Sequence, residues 1–418
     1  PLQQKKERSI MSVRTILIVL TSIILISAVF VGTVSALGVA SATGKATLDN
    51  VRAYAPSIGD DGPSFAVDGG DLFVGVPGNW SQVKAPRGVI VNAVTIDPQR
   101  DNVVYIGSAN ELAIYRTDDA GLTWMRVPLS SEAIGAVTAI AVDSTQRLVY
   151  VGTDTAGLFR LRDVGSSMLV SSQLLIDEPV LQVVADSAGT GLVLARTEWN
   201  LYRAEEYGMR WIPVSNLGSV PTAVAMAQTT PATIYVGTTD RGLLRSNDGL
   251  TWATANVGLG QTPGTRLRID ALAVDPMQPE VLYVASSYLF GSTTLHQTPV
   301  GVSMSVDGAN SWALVSVEDE VAVAELLPVT GETGSVLAVM ANSRTPLALG
   351  NAEAISLANA EASAVNMTPA SSWATSLSAW IIAGLSSLTL LIIVGRDVIR
   401  RQRSRPVTLA PNLVEQTQ

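Results

Sequence analysis

The feature that most constrains this chain is a turn signature, closed by tryptophan, that recurs along its central part. Each copy joins an Asp/Gly-rich turn to a Trp and is flanked by β-rich runs. The clearest copies occupy residues 117–124, 246–252 and 305–312, and a degenerate fourth ends at Trp211. Each copy predicts a β-hairpin whose Trp ring packs against the neighbouring unit.

Further markers recur with these turns and fix the period. The opening strand of a unit ends in a polar residue, the second strand carries Tyr-x-Gly in three units and Tyr-x-Ala at 283–285, and the third strand ends in Arg in four units. The polar residues are Asp97, Asp143, Asp186, Gln228 and Asp275, at steps of 42 to 47 residues, and the arginines are Arg116, Arg160, Arg203 and Arg245. Four short strands at this period are typical of a β-propeller blade; a helical solenoid would show a 3.6-residue periodicity that these runs lack.

The number of units predicts seven blades. A partial unit around Trp80 precedes the first clear copy, and residues 321–357 form a degenerate final unit. We therefore expect an all-β propeller over residues 63–349, with seven blades rather than six. We expect pairing of the two chain ends to close the ring.

Two apolar segments flank this region and predict membrane-spanning helices. Residues 15–42 are almost uncharged, and residues 377–395 form a shorter apolar run. Both are long enough to cross a hydrocarbon core of about 30 Å. Residues 43–62 and the Ala/Ser/Asn-rich residues 350–376 are then predicted to be linkers.

The charges beside these spans predict the orientation. The tail 1–14 carries Lys5, Lys6, Arg8 and Arg14, and the tail 396–418 is rich in arginine. Since positive flanks stay in the cytoplasm, both termini should be cytoplasmic and the propeller periplasmic or extracellular. The chain as a whole carries a net charge of −9, which makes nucleic acid a poor partner.

The first span has one rival interpretation. A basic start, an apolar run and small residues at Ala36 or 40–42 also describe a secretory signal peptide. The apolar run is about twice as long as a typical signal core, which favours a permanent anchor. The sequence leaves open whether Met11 is the translation start.

The absence of cysteine narrows both the chemistry and the compartment. It removes disulfides, thiol nucleophiles and cysteine-based metal sites. An exported chain without cysteine indicates a bacterial envelope, and we expect the inner membrane. We expect no cofactor and no metal.

The turn signature resembles the Asp-box, S-x-D-x-G-x-T-W, of the BNR or sialidase-type propeller family. That family includes sialidases, sortilin-like receptors and photosystem II assembly and stability factors, the group most similar in style to this chain. The resemblance covers about residues 64–357, and its structural positions here are Asp119, Gly121, Trp124, Trp211, Asp248, Trp252, Asp307 and Trp312. Residues 305–312 depart from the motif, with Ala309 where Gly is expected. The resemblance implies the fold more than the function, because the same motif occurs in hydrolases and in binding proteins.

For a sialidase-like enzyme, the resemblance implies three arginines gripping a carboxylate, a Tyr–Glu pair and an acid/base Asp. The candidates for these roles are the repeated arginines, Glu198 and Asp240. However, the arginines recur at one repeat position, which favours a structural role. The sialidase-type Arg-Ile-Pro element is absent near the propeller start, and residues 210–213 match it only partly.

Other catalytic and metal schemes have little support. His296 is the only histidine, and no Ser nucleophile motif accompanies it, so a loop role is favoured over catalysis. The acids at 60–61 and 318–320 could bind calcium, but they lack the spacing of a ligand loop. We expect no catalytic residues and no small-molecule substrate.

Binding is the remaining class of function. An inserted loop at 286–302 carries the candidate partner-binding residues Tyr288, Leu289, Phe290, Leu295 and His296. Folding of this loop onto its own blade is the alternative.

The second span offers the candidate helix-packing residues Gly384, Ser386 and Ser387, with Trp373 and Trp380 at its outer interface. These features predict a non-catalytic accessory, scaffold or assembly subunit of a larger photosynthetic or respiratory membrane complex. Its partners would be integral membrane subunits and the lipid bilayer. An extracytoplasmic glycan-binding protein or a sialidase-like glycoside hydrolase is the alternative.

Overall fold

Short antiparallel strands make up the structure, which is a computed structural model. It describes residues 44–45, 47–59, 62–130, 134–175, 178–260, 263–291, 294–316, 322–329 and 335–349. These residues form seven sheets, which we number blades 1 to 7 in chain order.

The strands of the first three blades follow the chain order, except that β1 lies beyond β5. Blade 1 contains β1 (Gly44–Lys45), β2 (Val51–Ala55), β3 (Ser64–Asp68), β4 (Asp71–Val76) and β5 (Asn79–Val83). Blade 2 contains β6 (Val91–Asp97), β7 (Arg100–Ser108), β8 (Ala113–Thr117) and β9 (Met125–Pro128). Blade 3 contains β10 (Val137–Asp143), β11 (Leu148–Thr153), β12 (Leu158–Asp163) and β13 (Met168–Leu174).

The last four blades repeat this meander. Blade 4 contains β14 (Val180–Ala185), β15 (Val193–Thr197), β16 (Leu201–Glu205) and β17 (Arg210–Pro213). Blade 5 contains β18 (Pro221–Ala227), β19 (Thr233–Thr238), β20 (Leu243–Ser246) and β21 (Ala253–Thr254). Blade 6 contains β22 (Arg266–Val274), β23 (Leu282–Phe290), β24 (His296–Ser305) and β25 (Ala313–Ser316). Blade 7 contains β26 (Val323–Pro328), β27 (Val336–Met340) and β28 (Pro346–Leu349).

The blades are arranged radially around a central channel. The inner strand of each blade contacts the inner strand of the next, from β2 through β6, β10, β14, β18 and β22 to β26. The ring is completed by packing between blades 7 and 1. The prediction of a seven-bladed all-β propeller is confirmed.

The hydrophobic core is divided into seven layers, one between each pair of adjacent blades. The layer between blades 2 and 3, for example, joins Tyr105 and Ile114 to Val149 and Phe159. Each sheet therefore buries both of its faces, which explains why the middle strands β3, β8 and β11 are buried along their whole length.

Glycine in the second strand allows adjacent blades to approach closely. A Cβ at Gly107 would lie 2.3 Å from Cγ1 of Val137, and one at Gly152 would lie 2.8 Å from Cγ1 of Val180. Both valines open the inner strand of the next blade. The Tyr-x-Gly marker is thus a packing requirement between blades.

The tryptophans of the repeated turns pack on the preceding blade, as predicted. Trp312 of blade 6 is 1 % exposed and joins the layer shared with blade 5, where its Nε1 donates to the carbonyl of Ala255 at 2.8 Å. Trp124 donates to the carbonyl of Lys84 in the same way, and Trp211 packs edge-on against Tyr150. Trp252 joins the layer between blades 4 and 5.

Ring closure differs from the predicted pairing of chain ends. Among the described strands, β1 pairs with β5 inside blade 1, and β28 stays in blade 7. The two blades meet instead through an apolar layer that includes Trp80 and Leu337. Arg344 adds a hydrogen bond of 2.7 Å from its Nε to the carbonyl of Val51.

The prediction of a linker over residues 43–62 was wrong for residues 51–55. Strand β2 lies there and is the inner strand of blade 1, with Val51 and Ala55 buried. The repeat marker fails at this point because Pro56 and Ser57 follow the strand where blades 2 to 6 carry an acid or Gln. The propeller therefore begins before residue 63.

The predicted membrane spans lie outside the described residues, as do the tails and the linker 350–376. The described part of the chain contains no helix long and apolar enough to cross a membrane. Both spans therefore stay predictions.

We expect Trp312→Ala to destabilise the propeller by about 3–5 kcal/mol. The change leaves a cavity between blades 5 and 6 and removes the hydrogen bond to the carbonyl of Ala255. Trp199→Ala is the matched control: Trp199 is 65 % exposed, so its loss should change stability by less than about 0.5 kcal/mol. Urea unfolding of the full-length variants measures both values. Equal losses in the two variants would contradict the layered core.

Candidate functional site

The central channel has two ends. We call the end at which the inner strands begin the upper face, and the end at which they finish the lower face. At the lower face, six blades line a cavity of about 480 Å³ with apolar side chains such as Ile96, Ile140 and Met226. Ser187, Gln228 and Asp275 also line this cavity.

A ring of β-bulges surrounds the channel at the upper face. Every inner strand skips one residue in its pairing with the second strand, near its start. We call the seven skipped residues the bulge ring: Arg52, Asn92, Thr138, Leu181, Thr222, Asp270 and Ala324. Bulges re-aim side chains and are frequent beside functional sites.

Three members of the bulge ring link adjacent blades. Asn92 donates to the carbonyl of Val137 at 2.8 Å, and Thr222 donates to that of Ile269 at 2.5 Å. Thr138 donates in the same way to Val180. In these blades the ring is therefore structural, and any specific chemistry must come from the other positions.

Blade 4 departs from the repeat beside the bulge ring. Blades 2, 3 and 5 place an Ala on the inner strand opposite a Gly on the second strand, as in the pair Ala93 and Gly107. Blade 4 has Gln182 opposite Arg196 instead. Nε of Arg196 donates to Oε1 of Gln182 at 2.7 Å, and the same oxygen accepts from the amide of Val224 in blade 5 at 3.2 Å.

Arg196 is partly buried. Burial lowers the pKa of Arg196 to about 10, and the nearby charge of Arg268 lowers it further in the same direction. Arg196 forms no ion pair with any residue that the structure describes.

A second polar group belongs to blade 6. Asp270 of the bulge ring accepts from Nε of Arg268 at 2.7 Å and from Nε2 of Gln297 at 3.1 Å, and Ser287 donates to its other oxygen. The charge of Asp270 is thus shared among three donors.

Blade 7 places an acid next to the bulge ring. Glu325 lies 3.4 Å from Nη2 of Arg344, measured from Oε2. Although 37 % of its side chain is open to solvent, the surrounding protein desolvates the carboxyl. Burial raises the pKa of Glu325 to about 7, and Arg344 only partly offsets this effect.

Blade 6 also extends beyond the ring, because β23 and β24 form a hairpin longer than those of the other blades. It contains the predicted partner-binding residues. Leu289 is buried and Tyr288 packs on the layer shared with blade 5, so this part folds onto the propeller. The tip is open: Phe290 is 40 % exposed and stacks on His296 at a centroid distance of 5.4 Å, and Leu295 is 59 % exposed.

The repeated arginines lie elsewhere, at the lower part of the interfaces between blades. Each reaches into the next blade: Nε of Arg160 donates to the carbonyl of Tyr207 at 2.8 Å, Nε of Arg203 to that of Asp248 at 3.0 Å, and Nη1 of Arg245 to that of Gly308 at 2.8 Å. Arg116 pairs with Asp163 at 3.1 Å. These guanidinium groups hold blades together, as their repeat position predicted, and do not converge on one ligand site.

The acids of the repeated turns are held by their own turns. Asp248 accepts from the amides of Leu250 and Thr251 at 2.7 and 2.8 Å, and these amides lower the pKa of its carboxyl. Asp119 and Asp307 accept in the same way from Thr123 and Ser311. The amides of Gly121 and Gly249 donate to the first hydroxyl of each turn. Carboxylates kept ionised in this way are unsuited to act as general acids.

The other sequence candidates do not converge. Glu198 is exposed on a loop of blade 4, and Asp240 accepts from Ser219 at 2.5 Å. The acids at 60–61 and 318–320 and the helix-packing residues Gly384, Ser386 and Ser387 lie outside the described residues. Across the part of the chain that the structure describes, no three His, Asp or Glu side chains are grouped to hold a metal ion.

Sequence reasoning missed the residues around the bulge ring. Arg196 was detectable, because it occupies the Gly position of the Tyr-x-Gly marker, in Leu194-Ala195-Arg196. Asp270 and Glu325 carried no comparable signal, since a bulge shifts the inner strand by one residue and its place is not visible in the sequence.

Comparison with known proteins supports the fold. A "Xyloglucanase" from Hypocrea jecorina is 29 % identical over 180 residues, which cover 40 % of this chain and 20 % of that protein. The structure of a GH74 xyloglucanase from Xanthomonas campestris aligns with a TM-score of 0.54 at 19 % identity, over 75 % of this chain and 53 % of that one. The chain thus spans a fifth of the curated relative and about half of the solved enzyme. At this identity the structural likeness shows the propeller fold alone.

A structure described as "YCF48 bound to D1 peptide" aligns with a TM-score of 0.49 at 14 % identity, over 74 % of this chain and 96 % of that one. No protein-family model matches the chain. The Asp-box resemblance therefore stays a prediction.

The raised pKa of Glu325 predicts a pH dependence of stability. The folded protein holds this proton up to about pH 7, whereas the unfolded chain releases it near the ordinary value of 4.5. The stabilisation from the neutral carboxyl is therefore present below pH 4.5 and is lost as the pH rises to 7. Glu325→Gln keeps a neutral side chain, so its melting temperature relative to the wild type should rise between pH 5 and pH 8.

Thermal unfolding followed by circular dichroism at several pH values measures this difference. Glu198→Gln, which changes an exposed carboxylate of blade 4, is the matched control and should track the wild type. A constant difference between Glu325→Gln and the wild type would contradict the raised pKa.

Proposed function

We propose that this chain is a non-catalytic, membrane-anchored propeller that acts as an accessory, scaffold or assembly subunit of a larger membrane complex. Its partners would be integral membrane subunits of a photosynthetic or respiratory assembly. The propeller would lie outside the cytoplasm and dock through its upper face.

The observation that carries this proposal is the set of exposed apolar side chains on the upper face. They lie on the bulge ring, on the connections between blades and on the loops between second and third strands. They are Ile90, Ile134, Leu181, Trp199, Val257, Phe290 and Leu295, between 37 % and 87 % exposed. Large exposed apolar groups on loops of a rigid scaffold favour partner recognition.

The extended hairpin of blade 6 supports docking most directly. Its base is anchored in the propeller by Leu289 and Tyr288, which fixes the orientation of the tip. The tip presents a ring pair, Phe290 and His296, together with Leu295. Aromatic anchors on a rigid base lose little conformational entropy on binding and are frequent hot spots.

The repeated arginines and turn acids support a non-catalytic role, because their hydrogen bonds are made within the scaffold. The arginines are committed to interfaces between blades and the turn acids to their own amides. The predicted spans add a second argument, because anchoring alone needs one span, whereas two can also pack against other membrane helices.

A second candidate is a glycan-binding protein or a glycoside hydrolase. The similarity to a xyloglucanase favours it, as do two acids at the bulges of blades 6 and 7. Glycoside hydrolysis uses two carboxyl groups, one of them with a raised pKa. Glu325 and Asp270 lie on neighbouring blades, and burial raises the pKa of Glu325 to about 7. The exposed ring of Trp199 on the same face could stack on a sugar.

The docking proposal predicts loss of partners when the hairpin tip is made polar. The double change Phe290→Ser and Leu295→Ser removes the exposed apolar groups without touching the buried base. Recovery of membrane partners in mild detergent should fall by about tenfold or more, as expected for a hot spot. Quantitative mass spectrometry of the co-purified proteins measures the loss.

The matched control changes Leu122 and Leu250 to Ser on the lower face, where these side chains are 75 % and 51 % exposed. This variant should retain its partners. Equal loss in both variants, or a wild-type chain that purifies alone, would contradict docking through the upper face.

The second candidate makes a separate prediction. A hydrolase would release reducing ends from xyloglucan, and Glu325→Gln or Asp270→Asn would lower that rate by a hundredfold or more. A glycan-binding protein would instead retain xyloglucan without cleaving it. The docking proposal expects neither turnover nor retention, so either result from the wild-type chain would favour the second candidate.

A further inference from the structure

The interface between blades 4 and 5 departs from the way in which other blades are joined. In blades 2, 3 and 5 a tyrosine of the second strand lies opposite the repeated arginine, and both side chains donate to one oxygen of the next blade. Tyr150 and Arg160, for example, both donate to the carbonyl of Tyr207, at 2.9 and 2.8 Å. Blade 4 has Leu194 opposite Arg203, so this interface lacks the phenol hydroxyl.

Arg203 also keeps donors that the other repeated arginines use. Its Nε donates to the carbonyl of Asp248 in blade 5 at 3.0 Å, and its Nη1 and Nη2 have no acceptor among the described residues. In each of the other three arginines Nη1 is bonded, as it is in Arg160 to Oγ of Ser171 at 2.8 Å. The partly buried guanidinium of Arg203 therefore has two nitrogens with which it can bind a ligand.

A cleft of about 470 Å³ opens beside this guanidinium on the lower face. Its walls are the turns of blades 4 and 5 that join inner to second strands and third to fourth strands. Blade 4 contributes Glu206 and Tyr207, and blade 5 contributes Asn247 and Asp248. Concave sites of this size with a few convergent polar groups are the usual form of small-molecule sites.

The turn that carries Glu206 and Tyr207 has an unusual backbone conformation. The φ angles of these two residues are 52° and 56°, in the left-handed region that bulky side chains rarely adopt. The Tyr207 ring lies against Gly191, where a Cβ would come within 2.8 Å of Cδ1, and 44 % of Tyr207 stays exposed. Strained residues of this kind are concentrated at ligand-binding sites.

The cleft offers charges of both signs that are not paired with each other. Glu206 is exposed and forms no ion pair with a described residue, and Arg203 has its free terminal nitrogens. The other acids are satisfied: Glu205 is ion-paired with Arg210, and Asp248 accepts from the amides of its own turn. A purely anionic ligand would be repelled by Glu206 and a purely cationic one by Arg203. A ligand that carries both charges matches the cleft.

We propose that this cleft binds an amino acid as its zwitterion. The guanidinium of Arg203 takes the carboxylate through paired N–H donors, and Glu206 takes the ammonium. The exposed part of the Tyr207 ring supplies an apolar surface for the side chain of the ligand. The site lies on the lower face, so it goes beyond docking through the upper face and does not depend on it.

Isothermal titration of the full-length chain tests this site with leucine, phenylalanine and glutamine as separate ligands. We expect saturable binding of at least one of them. For that amino acid, the N-acetyl derivative lacks the ammonium and the amide derivative lacks the carboxylate. Each derivative should therefore bind at least about tenfold more weakly, because one charge-assisted contact is lost.

Variants of the two charged residues link the binding to the cleft. Glu206→Gln neutralises an exposed side chain and should weaken binding by about tenfold. Arg203→Lys keeps the charge but loses the paired donors, so it should also weaken binding, and thermal unfolding checks that this variant is folded. Glu198→Gln makes the same change as Glu206→Gln on the opposite face of blade 4, and it should bind as the wild type does.

Three results would overturn the proposal. They are no saturable binding of any of the three amino acids, equal binding of an amino acid and its two derivatives, and equal affinity in Glu206→Gln and the wild type. Titration with cellobiose covers the other ligand class that such a cleft could take. Saturable binding of cellobiose without binding of an amino acid would replace the proposal with a sugar site.

Discussion

Packing of each sheet between two neighbouring sheets is the interaction on which this structure depends. A four-stranded sheet alone cannot bury both of its faces, and here each face is covered only when the ring is closed. The close approach of Gly107 to Val137, and of Gly152 to Val180, sets how tightly adjacent inner strands meet. Tyr105 and Tyr150 then bond across the same interfaces, to Asp163 and to the carbonyl of Tyr207.

The repeat separates structural groups from the candidates for function. Polar residues that recur at one position, such as Arg160 and Arg203, are used to join blades. Three departures from the repeat lie at the upper face: Arg196 replaces a glycine, Glu325 replaces an alanine, and blade 6 extends its hairpin. A position that is not needed for packing between blades can carry a functional side chain. Positions that break the repeat are therefore the best candidates for function.

The sequence predicted the ring because each blade repeats the same local signals. The turn acids, the Tyr-x-Gly strand and the packed Trp all act between residues close in sequence or one repeat apart. It did not predict β2, because Pro56 breaks the marker there, nor closure by packing, because Arg344 and Val51 are almost three hundred residues apart. The groups around the channel were missed for a related reason: a one-residue bulge decides which side chain of the inner strand lies outside the ladder.

Hydrogen exchange of the full-length chain, alone and within its native membrane assembly, tests most directly whether function resides at the upper face. The account predicts added protection in the blade 6 hairpin around 286–300 and near 181–200 of blade 4, with the lower-face turns at 117–124 and 246–252 unchanged. Protection confined to those lower turns, or identical exchange in both states, would contradict it.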